Sequence, residues 1–462
     1  MVPALKGTER GRQTRPQVVA VYTGDFGPDQ ARRLLSRAGF GPQPGQELRL
    51  AALGLDLAVK SLTRPQGRAR LIGKAPVDQN GLPIAPVDAV GHDHLWWLDR
   101  MVRSDQPLVE RMALVFHDWF STSANAVIVQ RQMLDQSNLF RDNCFGSFLK
   151  LFTGVTADPA MLLYLNGNAN ARGRPNENYA REMMELFSLG ANRGYTEGDI
   201  RQMARALTGW TSNRSSEGGH YDFRFASKRH DFGSKTIFGR TGRWNWFDGP
   251  RLCVQNRYHP SFFVDKLWSY FVDSEPDAAT RTELIRIYRG SRFKIRPVLE
   301  AILMHPDFYE TGPMVKPPVV YLASMMRARR VTIETDAWVG LCAAAGQQLF
   351  YPPNVSGWDD EAWLDTARMR SRWEMVGTLI RPAADILEDP YPGDETEEDA
   401  VDRALAGWGR PSLGAGDHDE LVNFAARTAG LARNANQRSR YRRLRQQGLM
   451  RLIGVGPGVM LQ

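Results

Sequence analysis

Apolar residues recur along most of this chain at intervals of three and four, the spacing of helices with one buried side. The stretch 176–190 shows the pattern most clearly. Its apolar arc consists of Tyr179, Met183, Leu186, Phe187 and Gly190. Its polar arc consists of Glu177, Asn178, Arg181, Glu182 and Glu185. The polar arc is either a solvated surface or one wall of a polar site, and the functional interpretation depends on which it is.

The same periodicity predicts a predominantly α-helical fold, a single multi-helix, bundle-like domain. We expect helices at 29–38, 48–62, 94–103, 107–122, 123–136, 144–152, 158–165, 176–190, 199–208, 261–272, 280–288, 297–304, 316–329, 337–345, 365–380, 397–405, 417–431 and 438–453. Residues 1–28 form a predicted flexible arm, and 29–462 the helical domain. The acidic stretch 387–396 contains two prolines and is a possible linker.

One region departs from the helical pattern. Tyr221, Phe223 and Phe225 alternate with polar or small residues, which is typical of a strand. A turn at 228–234 and a returning strand at 235–238 complete a predicted β-hairpin at about 220–239.

Composition supports a packed globular protein. The chain has 462 residues, 42% of them hydrophobic, with 12 tryptophans. The formal net charge of +8 is a small excess over many charges of both signs, so it points to no particular partner. No apolar run reaches the length of a membrane span, and no signal peptide is recognisable. The 3 cysteines are widely spaced, so we expect no disulfide framework and a cytoplasmic location.

The polar arc of 176–190 has two interpretations. On a wet surface, Arg181 forms i,i+4 ion pairs with Glu177 and Glu185, each contributing roughly 0.2–0.5 kcal/mol. In a partly buried site, clustered carboxylates have separated pKa values and supply one acid and one base. The Asn- and Gly-rich loop 166–175 precedes the helix, and a helix N-terminus suits an anionic ligand.

Three histidines are candidates for proton transfer or ligand binding, each with a structural alternative. His117 lies on a helix with an apolar face, where a satisfied core histidine is common. His230 and Asp231 lie at the predicted turn near Lys235, and Asp231 can orient the imidazole only if the chain folds back. His259 precedes a helix and can serve as an N-terminal hydrogen-bonding group.

Tryptophans beside polar turns are candidates for stacking on a sugar ring or another flat ligand. Trp358, with Asn354 in the same Pro-rich turn, and Trp210 are the residues concerned, and their alternative is a place in the core. The Arg-rich run 433–451 has no recognisable nucleic-acid module beside it, so we interpret it as a solvated helix face and expect no nucleic-acid partner. The sequence has no Walker loop, dinucleotide fingerprint, Gly-x-Ser-x-Gly elbow or His-Glu-x-x-His motif.

Several motifs in order resemble a known family. They are the opening helix 31–41, the stretch 176–190, Gly194–Glu197, Arg205–Trp210, His230–Lys235, His259–Pro260, Val315–Pro318 and Phe350–Trp358. Together they resemble the large bacterial domain-of-unknown-function 1800 family, from about residue 30 to the C-terminus. That family has no assigned activity, so the resemblance implies little chemistry. Where the family has a Trp-His-Asn/Gly-His-Phe run, Phe116–Phe120 keeps one histidine, which weakens any metal site that needs both.

Our main hypothesis is a hydrolase-type enzyme that acts on a polar, possibly glycan-like small molecule. Its catalytic candidates are Glu177, Glu182, Glu185, His230, Asp231 and His117. Its substrate-binding candidates are Arg181, Asn176, Asn178, Lys235, His259, Trp210, Asn354 and Trp358. We assign no metal ligands, and the sequence specifies neither a cofactor nor an oligomeric state. One alternative is a non-catalytic binding or assembly protein, and a weaker one is a metal-dependent enzyme that uses His117 and His230.

Overall fold

The computed structural model describes residues 19–359, 361–380 and 391–462, with the side chains of 361 and 362 also left out. Most of the predicted N-terminal arm, 1–18, therefore lies outside the described residues. The same is true of 387–390, the first part of the possible linker.

Helices make up most of the described chain, which confirms the predicted mainly α fold. They are α1 Pro28–Arg37, α2 Gln46–Ala51, α3 Leu55–Thr63, α4 His92–Arg103, α5 Pro107–Trp119, α6 Gln130–Asn143, α7 Phe148–Thr156, α8 Pro159–Tyr164, α9 Asn178–Met184, α10 Glu197–Ala206, α11 Asp248–Val254, α12 His259–Ser269, α13 Ala278–Gly290, α14 Ile295–Leu303, α15 Pro306–Glu310, α16 Pro318–Arg329, α17 Ala337–Ala344, α18 Thr366–Leu379, α19 Glu397–Gly407, α20 Asp417–Ala429, α21 Ala435–Gly454 and α22 Pro457–Met460. Short 3₁₀ turns occur at Gly167–Ala169, Ser227–Arg229 and Glu361–Leu364, and a π-helical turn, Glu185–Leu189, continues α9.

Two small antiparallel sheets interrupt the helices. Strand β1 (Trp210–Arg214) pairs with β2 (His220–Phe225), and β3 (Lys235–Ile237) pairs with β4 (Arg240–Gly242). The expected pairing of 221–226 with 235–238 was therefore wrong. Each strand instead pairs with a nearer segment that the alternation pattern alone did not mark, because β1 and β4 carry few apolar residues.

Local sequence explains why the helices begin where they do. Pro107 occupies the first turn of α5, where its missing N–H is no loss, and Asp158 caps α8 by accepting a hydrogen bond from the Met161 N–H. Thr196 and Asp199 form a reciprocal capping box at the start of α10. These signals fix the ends of the helices that surround the central core.

The core is one continuous apolar cluster that runs from α1 to α22. Helix α9 packs on α10, its π-helical turn packs on α12, and α4 packs on α16. Near the C-terminus, α19, α20 and α21 pack against one another, and α18 joins this group to the rest. None of the helices in the described ranges combines the length and apolar character that a membrane crossing requires.

Candidate active site

The carboxylate of Asp118 joins three segments that are distant in sequence. Asp118 lies near the end of α5, inside the run Phe116–Phe120. Its Oδ1 accepts a hydrogen bond from the Trp358 N–H at 3.0 Å, and its Oδ2 accepts one from the Tyr270 hydroxyl at 2.6 Å. Two hydrogen bonds from separate segments fix the position of this carboxylate.

Gly357 allows the Trp358 turn to approach this carboxylate. Its φ of 99° lies in the region that favours glycine. A Cβ at this position would overlap the Asp118 side chain. The Asn354 side chain closes the turn, since its Oδ1 accepts from the Ser356 N–H at 2.8 Å. Asn354 is thus a turn-forming residue here, and its amide oxygen is occupied.

A cavity of about 110 Å³ lies beside Asp118. The polar and aromatic residues that line it are Arg111, Asp118, Ser269, Tyr270, Gln347, Trp358 and Trp363. Val315 and Pro317 supply part of the apolar wall. Three of the motifs noted in the sequence, Phe116–Phe120, Val315–Pro318 and Phe350–Trp358, therefore meet at this one cavity, which we call the Asp118 cavity.

Arg111 is the unusual member of the cavity wall. It is only 4% exposed, and among the described residues its Nε and Nη1 have no hydrogen-bond partner. When the Gln462 amide is oriented so that both its oxygen and its nitrogen have partners, Nη2 of Arg111 donates to the Gln462 side-chain oxygen at 3.2 Å. Burial lowers the pKa of Arg111 to about 10, so the group still carries its charge at neutral pH. An unpaired buried cation is costly unless an anion reaches it.

The two tryptophans of the cavity add further donors. The indole N–H groups of Trp358 and Trp363 are buried and have no hydrogen-bond partner among the described residues. Trp363 is 7% exposed, and Trp358 is partly buried. A cavity whose wall holds several unsatisfied donors is suited to an acceptor, above all an oxyanion.

Lys266 brings a second cation to the neighbourhood of Asp118. It lies one turn before Tyr270, with its Nζ 5.1 Å from the centre of the Trp119 ring, and it donates to the Leu186 carbonyl at 3.3 Å. Burial lowers the pKa of Lys266 to about 8, and the charge of Asp118 offsets part of that effect. Arg111 and Lys266 are thus two buried cations in the neighbourhood of Asp118.

The 176–190 segment folds as predicted on its apolar side. Tyr179, Met183 and Phe187 are buried, and the Tyr179 hydroxyl lies 2.8 Å from the hydroxyl of Thr156. Gly190 ends the π-helical turn with a φ of 92°. The helix is thus anchored in the core by one face, and its other face is available for charged groups.

The polar arc is largely an exposed ion-pair network. Arg181 makes two hydrogen bonds of 2.8 Å to Glu197 of α10, and its distance to Glu177 is 3.7 Å. The expected Arg181–Glu185 pair is replaced by this contact, because α10 packs alongside α9 and brings Glu197 within reach. Pairs this exposed are worth about 0–1 kcal/mol each. Asn178 is also exposed, so these residues form a solvated surface.

Glu182 and Glu185 have a different environment. Both are partly buried, and the Tyr195 hydroxyl donates to Glu185 at 3.2 Å. Burial and the neighbouring charge of Glu185 raise the pKa of Glu182. This is the direction expected for a pair in which one carboxylate carries the proton. Asn176 stands apart from the pair, closing the turn at the helix start by accepting from the Asn178 N–H at 2.9 Å.

The His117 imidazole is enclosed by aromatic rings, with the centres of Trp97, Phe350 and Trp358 at 5.3, 5.6 and 5.4 Å. Burial lowers the pKa of His117 to about 3, and the charge of Arg141 acts in the same direction. The imidazole is therefore neutral near pH 7, and its ring packs against Trp358. A neutral, enclosed imidazole does not suit the predicted role in proton transfer.

The His230 and Asp231 side chains bind different partners. His230 Nδ1 donates to the Thr208 carbonyl at 2.8 Å, while Asp231 accepts from Arg205 at 2.7 Å and from the Gly233 N–H at 2.8 Å. Burial lowers the pKa of His230. The suggested His–Asp pair does not form, since these adjacent residues face in different directions.

Lys235 holds the same turn from within. Its Nζ donates to the carbonyl oxygens of Asp231 and Gly233, and the residue is 1% exposed. Burial lowers the pKa of Lys235, with the Asp231 charge opposing the shift. Lys235 therefore stabilises the loop before β3 and offers no free ammonium to a ligand.

The side chains of His259 and Trp210 are also engaged in contacts within the fold. His259 Nδ1 donates to the Ser188 carbonyl at 2.9 Å, and its Nε2 lies 2.9 Å from the Tyr288 hydroxyl, so both nitrogens are occupied. Burial lowers the pKa of His259 to about 4. Trp210 packs edge-on against Trp246, with ring centres 5.1 Å apart.

The predicted site residues therefore do not form one site, because they lie in several separate parts of the fold. Within the described residues, no hydrogen bond or ion pair joins His117 or His230 to the carboxylates of 176–190. Of those candidates, Trp358 lines the Asp118 cavity and His117 packs behind it. No group of three His, Cys, Asp or Glu side chains in the described part of the chain could hold a metal ion.

Sequence reasoning missed Arg111, Tyr270 and Gln347. The sequence did contain a signal for the burial of Arg111. This residue stands three positions after Leu108 and four before Val115, on the apolar stripe of α5. A cation on a buried stripe needs a partner. Tyr270 lies 152 positions from Asp118, and nothing in the local pattern connects them.

Fold and site together define a mainly helical protein with a small, aromatic-lined cavity that contains one arginine and one carboxylate. The family described as "Protein of unknown function (DUF1800)" matches residues 33–458, and the chain belongs to that family, which confirms the resemblance seen in its motifs. No curated protein and no solved structure matches the chain.

Proposed function

We propose that this protein binds a small organic anion in the Asp118 cavity. The observation that carries the proposal is the buried Arg111 guanidinium, whose Nε and Nη1 lack partners among the described residues beside an open space. An oxyanion there accepts hydrogen bonds from the guanidinium and from the indole N–H groups of Trp358 and Trp363. Asp118 and Tyr270 line the same cavity and select for a ligand that also carries a hydrogen-bond donor.

The size of the cavity narrows the ligand class. Typical ligand pockets occupy roughly 300–1,000 Å³. The Asp118 cavity, at about 110 Å³, is smaller. It suits a carboxylate with a short carbon frame, or the anionic end of a longer molecule. A glycan chain is too large to enter it whole, so the ligand class we propose is a small acid.

Titration with simple carboxylates tests this proposal. Acetate and glycolate, which differ by one hydroxyl donor, should raise the thermal midpoint and give measurable heats of binding, with glycolate binding more tightly. Arg111→Met removes the charge at similar length and should abolish both responses while leaving the protein equally or more stable, since an unpaired buried charge is removed.

Arg327→Met is the matched control. Arg327 is equally buried, but its Nε donates to the Gly41 carbonyl and its Nη1 to the Val102 carbonyl, both at 2.9 Å. This replacement should lower stability and leave the response to anions intact. The proposal is wrong if Arg111→Met binds the carboxylates as well as the unmodified protein does, or if it destabilises the protein as much as Arg327→Met.

One observation favours a second function, hydrolysis at the 176–190 helix. Burial and the charge of Glu185 raise the pKa of Glu182, which is the direction that the general acid of a glycoside hydrolase requires. Nitrophenyl glycosides and nitrophenyl esters are suitable probes. Glu182→Gln and Glu185→Gln should each abolish turnover with the thermal midpoint nearly unchanged, whereas Glu177→Gln, in the exposed ion pair, should retain it. Equal turnover in all three variants, or collapse of the fold in the first two, rejects this function.

A further inference from the structure

The segment Val315–Pro318 separates the Asp118 cavity from a larger one. It runs extended beside the last residues of the described chain, with the Lys316 N–H donating to the Met460 carbonyl at 2.9 Å. Alternate side chains of an extended segment point to opposite sides. Val315 and Pro317 accordingly line the Asp118 cavity, while Lys316 lines a cavity of about 450 Å³ on the other side. We call this larger space the Lys316 cavity.

The Lys316 amine is buried without a counter-charge. The residue is 6% exposed, and its Nζ donates one hydrogen bond, to the Val459 carbonyl at 2.7 Å. In the described ranges no carboxylate forms an ion pair with it. The fully buried Arg372 lies alongside, donating from Nη2 to the Lys316 carbonyl at 2.9 Å.

These surroundings favour the neutral amine. Burial lowers the pKa of Lys316 to about 7, and the positive charge of Arg372 acts in the same direction. Desolvation and a neighbouring cation are the two means by which enzymes convert a lysine into a nucleophile. An ordinary surface lysine with a pKa near 10.4 is neutral in only about one molecule in 2,500 at pH 7. Lys316 therefore has a much larger nucleophilic fraction.

The rest of the cavity wall is suited to a carboxylate. Arg32 and Arg33 line the same space. Arg32 is ion-paired with Asp29, whereas Arg33 forms no ion pair among the described residues, and its Nε is buried there without a hydrogen-bond partner. Arg33 is held in place by donating from Nη2 to the Gly312 carbonyl at 3.1 Å. The hydroxyl-bearing Ser36 and the aromatic Trp408 complete a pocket that is large enough for a small metabolite.

We propose that Lys316 forms an imine with a small 2-oxo acid bound in the Lys316 cavity. The neutral amine attacks the keto carbon, and a carbon–nitrogen bond forms as the carbonyl π pair moves to oxygen. The carbinolamine then loses water, which carries away the former carbonyl oxygen and the two amine hydrogens, and a carbon–nitrogen double bond remains. No oxidant or reductant is needed. Arg33 holds the carboxylate, so the ligand is an acid with a carbonyl group on the adjacent carbon.

Reductive trapping tests the proposal. The full-length protein is incubated with pyruvate and sodium cyanoborohydride near pH 7, digested and mapped by mass spectrometry. The expected result is an adduct on Lys316 that forms at least about tenfold faster than adducts on exposed lysines such as Lys150, because far more of the Lys316 amine is neutral. Adducts on exposed lysines with Lys316 unmodified would overturn it, and this comparison within one protein needs no variant.

Three variants separate the nucleophile from the carboxylate site. Lys316→Arg should abolish the fast adduct, and Lys150→Arg should leave it unchanged. Arg33→Met should slow trapping of pyruvate but not of acetaldehyde, which has no carboxylate. If Arg33→Met affects both probes equally, or neither, the assignment of a 2-oxo acid is wrong. Because this chemistry takes place in a different cavity, its failure would leave the Asp118 cavity proposal untouched.

Discussion

Asp118 accepts a hydrogen bond from the backbone of Trp358 at 3.0 Å, at a point where the preceding residue has no space for a side chain. The contact joins the end of α5 to a turn 240 positions away. It places the indole of Trp358 over the cavity with the aromatic ring of His117 behind it. The position of the carboxylate in the cavity therefore depends on a backbone contact as much as on its own helix.

Gly357→Ala should break this contact. The added Cβ overlaps the Asp118 carboxylate and also meets an unfavourable φ of 99°. Gly239→Ala is the matched control, because its φ of 72° carries a similar strain while no atom lies within 4 Å of the new Cβ. The control should cost about 1–2 kcal/mol of unfolding free energy, and Gly357→Ala roughly 1–3 kcal/mol more.

Urea unfolding measures both free energies, and carboxylate titration measures the site. Only Gly357→Ala should lose anion binding. Equal costs for the two variants, with binding retained in both, would show that the turn does not position Asp118.

The apolar stripe of 176–190 could be predicted because helical periodicity is a local property. Tyr179, Met183 and Phe187 recur at intervals of four, and burial of one helix face follows directly from that spacing. Strand pairing is not local in the same way. Phe223 and Phe225 marked β2 correctly, but the choice of partner depended on which segment the surrounding helices leave beside it.

The candidate site was harder to predict for the same reason. Arg181 looked like a ligand-binding residue, yet Glu197 of the next helix takes up its charge. Arg111 looked like an ordinary helix residue, yet the fold buries it without an anion. Which charge is neutralised depends on distant segments, and a single sequence does not show those distances.

Acid should destabilise the protein through its buried histidines. Burial lowers the pKa of His94 and His117 to about 3 and that of His259 to about 4, from 6.5. Below pH 6.5 these histidines become protonated in the unfolded chain but stay neutral in the folded protein. The free energy of unfolding therefore falls as the pH decreases, until the pH reaches the pKa of the histidine in the folded protein. Each such histidine contributes about 1.4 kcal/mol per pH unit within that range.

His117→Phe tests this dependence directly. The Nε2 of His117 has no partner among the described residues, so a phenyl ring should keep the aromatic contacts and change stability at pH 7 by less than about 1 kcal/mol. Urea midpoints measured from pH 7 down to pH 4 should fall less steeply in the variant. His418→Phe, at an exposed position, is the control. A slope as steep as that of the unmodified protein would show that His117 is already protonated in the fold.

Glu395, just before α19, joins α19 to α21 through two arginines. Its buried carboxylate accepts from Arg445 and from Arg403, both at 2.6 Å, and the Arg445 side chain is only 2% exposed. Glu395→Gln leaves that guanidinium buried without a counter-charge, which costs about 3–5 kcal/mol. Glu374→Gln, which breaks an exposed pair with Arg370, should cost less than about 1 kcal/mol.

A double replacement shows whether the cost comes from the orphaned charge or from the lost pair. With Glu395→Leu and Arg445→Leu together, no unpaired buried ion remains, and apolar contacts replace the ion pair. The double variant should therefore be more stable than Glu395→Gln alone, as measured by urea unfolding. If it is equally unstable, the pair contributes its own attraction to the α19–α21 interface. In that case the loss of this attraction, and not the desolvated arginine, explains the effect of the single substitution.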